Sequence, residues 1–330
     1  MGKQLLVAGG CGFLGSHLVD RLLERADVAR LLVVDNLWTG RRENLQHVAD
    51  SRLEIEVSDV ETFHAEASFD EIYHFASPAT PAQYMKEPVR VIRANVQGAL
   101  NLMTLLSPGG RLCFASSSEV YGEPLVNPQP ESFRGSVDCT GPRASYDESK
   151  RCTEALLLEA QRVHGLDVRV ARLFNVYGPR TQADDGRAVS NFIGQALAGE
   201  KLTIYGDGLQ TRCWGYVDDM MEALSRFFWL DPITHVGPLN IGNDREIPVV
   251  EIARHVAKLV PGARIKFLPA PPQDPASRRP DLELAAKVLP GWRPHTPYEI
   301  GVERTLAWFR MQLSSGCPTP ERSTTAGVQA

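Results

Sequence analysis

Tyr146 and Lys150 stand four residues apart in the run Tyr-Asp-Glu-Ser-Lys, and 27 residues before the tyrosine the run Ser116-Ser117-Ser118 ends in Glu119. On a helix, a spacing of four puts two side chains on one face. A free phenol, with a pKa of about 10, is too weak a base at neutral pH. A neighbouring ammonium favours the phenolate and lowers that value. Tyr146 so assisted can take the proton of an alcohol while a hydride leaves for an oxidised cofactor, and Ser118 can hold the same hydroxyl by a second hydrogen bond. The separate carboxylate of Glu119 implies a further step on the substrate while it is a ketone.

A loop for such a cofactor opens the chain. Gly9-Gly10-Cys11-Gly12-Phe13-Leu14-Gly15 lies between an apolar run at 4–8 and leucines at helical spacing (Leu14, Leu18, Leu22). Glycines there allow a tight turn and let backbone N–H groups at a helix N-terminus approach a pyrophosphate. The spacing is G-x-x-G-x-x-G rather than G-x-G-x-x-G. Asp35 follows twenty residues after Gly15, at the end of a second apolar run. Its carboxylate suits the hydroxyls of an adenosine ribose and repels a ribose phosphate, so it favours NAD over NADP. Arg41 and Arg42 are expected at the surface.

The elements that must position these groups follow a regular rhythm. Strand-like stretches at 4–8, 31–34, 53–57, 71–75, 112–115 and 168–173 alternate with helical segments, of which 89–106 and 143–164 are the longest. That alternation predicts an α/β fold, a doubly wound parallel sheet of the Rossmann kind covered on both faces. The two long helices could pair with a second subunit. Beyond Gly178 the rhythm changes. Residues 1–178 are read as mainly the NAD-binding domain and 179–313 as mainly a smaller substrate-binding lobe, with some chain crossing back. Residues 314–330 read as a disordered tail.

Composition excludes several classes. The chain has 330 residues and a formal charge of −5, so it carries no basic footprint for nucleic acid. No apolar run reaches the ~18 residues of a membrane span. The six cysteines form no C-x-x-C pair and no signal peptide precedes them, which suggests reduced thiols in a cytoplasmic protein. The eight histidines show no metal-ligand spacing, so no metal is expected.

With these residues in view, the chain resembles an extended short-chain dehydrogenase/reductase and, within that superfamily, the UDP-glucuronic acid decarboxylases (UDP-xylose synthases), over roughly residues 3–312. The resemblance rests on Gly9–Gly15, 35–40, His74–Pro81 (whose Ser77–Pro81 part is the most specific), Ser116–Tyr121, Gly141–Lys150, Arg172–Asn175 and Ser190–Phe192. It implies a homodimer acting on UDP-glucuronic acid with retained NAD. Carbon 4 is oxidised, the β-keto acid loses carbon dioxide, and the stored hydride returns to give UDP-xylose.

The resemblance also implies site residues. Tyr146, Lys150, Ser117, Ser118, Glu119 and Arg278 would be catalytic, with Arg278 carried on a mobile segment. Gly9, Gly12, Phe13, Leu14, Gly15, Asp35, Asn36, Thr39, Gly40, Asp59, Val60, Phe75, Ser77 and Arg187 would hold NAD beside Tyr146 and Lys150. Pro81, Tyr84, Arg93, Asn175, Asn191, Tyr205, Gln210 and Arg212 would hold the nucleotide sugar with Ser118, Glu119 and Arg278, and Gln182 is a further candidate. The family usually has threonine where Ser117 stands. The lost methyl removes χ1 stiffness beside the intermediate, which implies partial release of UDP-4-keto-xylose. Rival readings are a UDP-glucuronate 4-epimerase, which usually lacks the glutamate, an NDP-glucose 4,6-dehydratase, which typically has Asp-Glu in place of Ser118-Glu119, and a non-catalytic NAD-binding scaffold.

Overall fold

The computed structural model describes residues 2–183, 186–231, 235–269 and 278–314. The expected tail from 315 onward and the stretch 270–277 of the proline-rich segment lie outside the described residues.

Seven parallel strands form the central sheet: β1 (Lys3–Ala8), β2 (Val28–Asp35), β3 (Leu53–Val57), β4 (Phe69–His74), β5 (Leu106–Ser117), β6 (Asp167–Leu173) and β7 (Pro238–Ile241), in the order β7-β6-β5-β4-β1-β2-β3. Leu5, Leu6, Val7 and Ala8 are all fully buried, as an interior strand covered on both faces requires. The chain runs from β1 out to β2 and β3, then returns on the other side as β4. The crevice above the carboxyl ends of β1 and β4 is therefore the switch point where such sheets bind ligands.

One expectation shifts in detail. The segment 89–106 is one continuous helical run interrupted by a π insertion, and it ends two residues early. It is Pro88–Ile92, a widened π turn at Arg93–Gln97 and Gly98–Thr104, and Leu106 already begins β5. In the widened turn Asn95 Nδ2 donates to Val91 O at 3.1 Å and to Ser149 Oγ at 3.0 Å, which ties this segment to the helix Ala144–His164. That helix stops at Gly165, whose φ of 69° ends it in the left-handed region.

Outside the central sheet the strands form small two-stranded pairings. Lys201–Tyr205 runs parallel to Arg264–Leu268, and Thr211–Cys213 runs antiparallel to Glu246–Pro248. Between them the chain crosses back: helix Val217–Phe228 packs on the first helix, Phe13–Leu23, and β7 extends the sheet beside β6.

Candidate active site

A cavity of about 220 Å³ opens at the switch point. Its floor is the turn after β1. Gly9 has φ +81°, and a Cβ there would sit 2.6 Å from Ala76 N. A Cβ on Gly15 would sit 2.0 Å from Gly9 O, so only hydrogen lets the turn close on the helix that follows. Gly12 caps that helix without any side-chain hydrogen bond, and Gly12, Phe13, Leu14 and Gly15 line the cavity. An uncapped N-terminus facing a cavity is a ready site for a phosphate.

Asp35, at the end of β2, is buried and lines the same cavity. Its Oδ2 accepts the Cys11 N–H at 2.9 Å and its Oδ1 accepts the Leu37 N–H at 2.8 Å. Burial raises its pKa against those two bonds. Gly40 does not line the cavity. A Cβ there would meet the Asp35 carboxylate at 2.7 Å, so its contribution is to let the carboxylate sit where it does. Asp59 also stands behind the wall, accepting from Asn36 Nδ2 at 2.6 Å and from Arg90 Nη2 at 3.1 Å. Arg90 in turn covers the Trp38 ring at 4.5 Å, and both line the cavity, a pair the sequence reading missed. Arg42 is exposed and Arg41 half-buried, and neither lines the cavity. The remaining expected cofactor residues, Asn36, Thr39, Val60, Phe75, Ser77 and Arg187, are all in the lining. The residues thus fit a dinucleotide: an anion-ready helix end, a carboxylate for a ribose, and a lid where Gln182 Nε2 donates to Thr39 O at 2.8 Å and Gln83 Nε2 donates to Gln182 Oε1 at 3.2 Å.

The end of β5 and the helix Ala144–His164 bring the chemistry together. Tyr146 is buried and stacks on Tyr84, with ring centroids 5.0 Å apart. Ser117, one of the expected catalytic residues, hydrogen-bonds the Tyr146 phenol. The extended backbone at the end of β5 turns Ser117 toward the tyrosine, and its Oγ also accepts the Glu119 N–H at 3.2 Å. Ser118 lines the cavity one residue on.

Lys150 stands beside the tyrosine. Its Nζ donates to Ala115 O at 2.8 Å and lies 5.7 Å from the Tyr146 ring centroid, beside the Phe114 ring at 4.6 Å. Burial pushes Lys150 down to about 7, opposed by Glu154, and burial pushes the phenol up, opposed by the Ser117 bond. Burial therefore keeps the phenol neutral and leaves Lys150 poised near neutrality, and a cationic ring beside Tyr146 would add the charge that favours the phenolate. Glu154, four residues after Lys150, was not singled out from the sequence. Buried, it accepts from Ser116 Oγ at 2.5 Å and from Arg172 Nη2 at 2.6 Å, fixing the end of β5.

Glu119 has a guanidinium on each oxygen: Arg143 on Oε2 and Arg278 on Oε1. Burial would raise its pKa, but Arg278 and Arg143 outweigh burial and hold the carboxyl below the usual range. Arg143 also lines the cavity and was missed as a role. Its position three residues before Tyr146 at a helix start was the available signal.

The expected sugar-nucleotide residues separate into groups. Pro81, Tyr84 and Asn175 line the main cavity. Asn175 and Arg187 also line a smaller adjoining one with Tyr205, Gln210 and Arg212. Arg93 lines neither. The widened turn presents Ala94 to the cavity and leaves Arg93 exposed, its Nε 3.9 Å from Glu61. Asn191 is half-buried on the helix Ala188–Leu197 and lines neither cavity.

Residues 5–242 match the NAD dependent epimerase/dehydratase family. The chain is 44% identical to UDP-glucuronic acid decarboxylase 5 of Arabidopsis thaliana over 313 residues, covering 94% of this chain and 90% of that protein. The chain belongs to the UDP-glucuronic acid decarboxylase family. Solved relatives share the fold at lower identity. UDP-glucose 4-epimerase of Thermotoga maritima, solved with UDP-glucose, superposes with a TM-score of 0.81 at 28% identity, covering 94% of this chain and 99% of that one. The dTDP-glucose 4,6-dehydratase of Streptomyces venezuelae, solved with NAD, gives 0.82 at 27% identity over 94% and 98% of the two chains. NAD is accordingly the cofactor of this family member.

Proposed function

We propose that the protein decarboxylates UDP-glucuronic acid to UDP-xylose through a 4-keto intermediate. The observation that carries this reading is Glu119, set between two guanidiniums beside the Ser117–Tyr146 pair on one cavity, in a chain of this family. NAD when bound supplies a hydride acceptor that later returns the hydride, so the reaction has no net redox change. Tyr146 takes the hydroxyl proton of carbon 4, with Ser117 orienting the oxygen. Lys150, anchored on Ala115 O, adds positive charge behind the tyrosine. Once carbon 4 is a ketone, the neighbouring carboxylate can leave as carbon dioxide while its electrons pass into an enolate. Donors aimed at such an oxyanion are typically worth ~3 kcal/mol each. Arg143, on the cavity wall, is suited to hold the sugar carboxylate.

The smaller cavity with Tyr205, Gln210 and Arg212 suits the nucleotide end of the substrate. Its continuity with the main cavity through Asn175 and Arg187 supports one elongated ligand spanning both. We further propose a homodimer through the two long helical segments, since Val89, Ile92 and Leu100 on one and Val163 on the other are exposed apolar residues. Among the described residues no helix is long and apolar enough to cross a membrane. Five free cysteines among them support a reducing, cytoplasmic setting.

Incubation with UDP-glucuronic acid and NAD, with products identified by NMR and mass spectrometry, tests the reading. Loss of carbon dioxide to give UDP-xylose or its 4-keto precursor is expected. An unchanged mass with inverted carbon 4 would instead establish an epimerase, loss of water from an NDP-glucose a dehydratase, and NAD binding without turnover of any nucleotide sugar a scaffold.

A further inference from the structure

Decarboxylation consumes a proton. The departing carboxylate leaves its electron pair on the ring, and carbon 5 must then be protonated. Glu119 has no proton to give in this arrangement, because Arg143 and Arg278 hold it as a carboxylate. One carboxyl near it is placed differently. Asp147 lies four residues after Arg143, on the same side of the helix start, and its N–H donates to Arg143 O at 3.1 Å. Only 6% of it is exposed, and Oδ1 has no hydrogen-bond partner among the described residues. It is not part of the cavity lining, but it follows directly on Tyr146, which lines the cavity with Glu119, Arg143 and Tyr84.

We propose that Asp147 is the proton reservoir of the decarboxylation, a positioning residue that recharges Glu119 from behind the cavity. This rests on the decarboxylase reading above. The proton leaves the Asp147 carboxyl for the Glu119 carboxylate and passes from there to carbon 5 as the enolate electron pair forms the new C–H bond. Neutralising Glu119 frees its guanidiniums, and Arg143, one helical turn from Asp147, is placed to pair with the carboxylate left behind. Asp147 then takes a proton back from water, which balances the one proton consumed per turnover.

The charges around Asp147 support this exchange. Glu119 and Glu148 oppose its ionisation, Arg143 and Arg278 favour it, and Glu119 and Asp147 both oppose ionisation of the Tyr84 and Tyr146 phenols. Burial above all, then Glu119, pushes Asp147 up to about 7, so near neutral pH it is a carboxyl that can both give and regain a proton.

The test compares wild type with Asp147→Asn, which keeps shape and removes the titrating proton, and with Asp147→Glu, which keeps the carboxyl. In wild type, carbon dioxide release from UDP-glucuronic acid should depend on a group titrating near neutrality, and product made in deuterated water should carry deuterium at carbon 5. Asp147→Asn should lower product formation by about 100-fold, the usual worth of a positioned acid. It should leave the initial rise in nicotinamide absorbance, which reports oxidation at carbon 4, within about twofold of wild type at every pH, and it should flatten the neutral inflection that product formation shows beyond the one Lys150 gives to oxidation. Asp147→Glu should restore the inflection. Equal losses in oxidation and product formation would mark a structural role and overturn the assignment, as would an Asp147→Asn enzyme with the wild-type pH profile. Wild type that converts the substrate without releasing carbon dioxide overturns the decarboxylase reading itself and this assignment with it. Release by wild type with an unaffected variant overturns this assignment alone.

Discussion

Replacing Glu154 with glutamine should damage both the fold and the oxidation step, in amounts the structure lets one work out. Glu154 is buried between Ser116 and Arg172, and the Arg172 side chain is itself only 13% exposed. Removing one partner of a buried ion pair leaves an uncompensated charge and costs about 3–5 kcal/mol. At roughly 1.5 °C per kcal/mol for a chain of 330 residues, the melting temperature should fall by about 4–7 °C. The second effect runs through Lys150, whose ammonium is disfavoured by burial and favoured by Glu154. Side chains four apart on a helix are about 6 Å apart, and at an effective dielectric near 20 two unit charges there interact by roughly 2–3 kcal/mol. That corresponds to one to two pH units. The sign follows from the charge. The Lys150 ammonium is lost as pH rises through its pKa of about 7, and without Glu154 this loss moves to lower pH. The alkaline limb of carbon 4 oxidation should therefore shift toward acid by at least one unit, read from nicotinamide absorbance across the neutral range alongside a thermal melt. A variant with wild-type melting temperature and an unmoved alkaline limb would refute the electrostatic link between Glu154 and Lys150.

Two further outcomes are expected. Ser117→Thr restores a methyl beside the Tyr146 phenol, and at ~0.8 kcal/mol per buried carbon it should cut the released UDP-4-keto-xylose about fourfold relative to UDP-xylose, as measured by NMR. An unchanged ratio, or no keto product from wild type, would refute a role for the missing methyl. Gly15→Ala places a Cβ 2.0 Å from Gly9 O, so the turn must open, and NAD affinity measured by calorimetry should fall at least tenfold, about 1.4 kcal/mol. Wild-type affinity would mean the turn relaxes without disturbing the helix end.

Much of this protein was legible in its sequence because the signals are local. The apolar run at 4–8, the glycine turn and Asp35 sit within one strand-turn-helix-strand unit, where backbone sterics and strand burial leave few alternatives. The i, i+4 spacing of Tyr146 and Lys150 likewise needs only a helix, and the run 116–119 needs only to end a strand. What the tertiary structure decided are relations between segments far apart in the chain. Which of two adjacent serines meets Tyr146 depended on how the end of β5 faces the helix Ala144–His164, and Ser117 proved to be the one. A π turn, held by Asn95 bonding across to Ser149, turned Arg93 out of the site. Glu119 acquired its two guanidiniums from positions 24 and 159 residues away, a pairing that no local spacing encodes. The same packing left Asp147 Oδ1 buried with no hydrogen-bond partner among the described residues and anchored Lys150 on the Ala115 carbonyl. Residue types and short spacings limited the chemistry to alcohol oxidation with an added carboxylate. Desolvation and long-range charge, which exist only once the chain has closed around the cavity, decide which groups hold protons there.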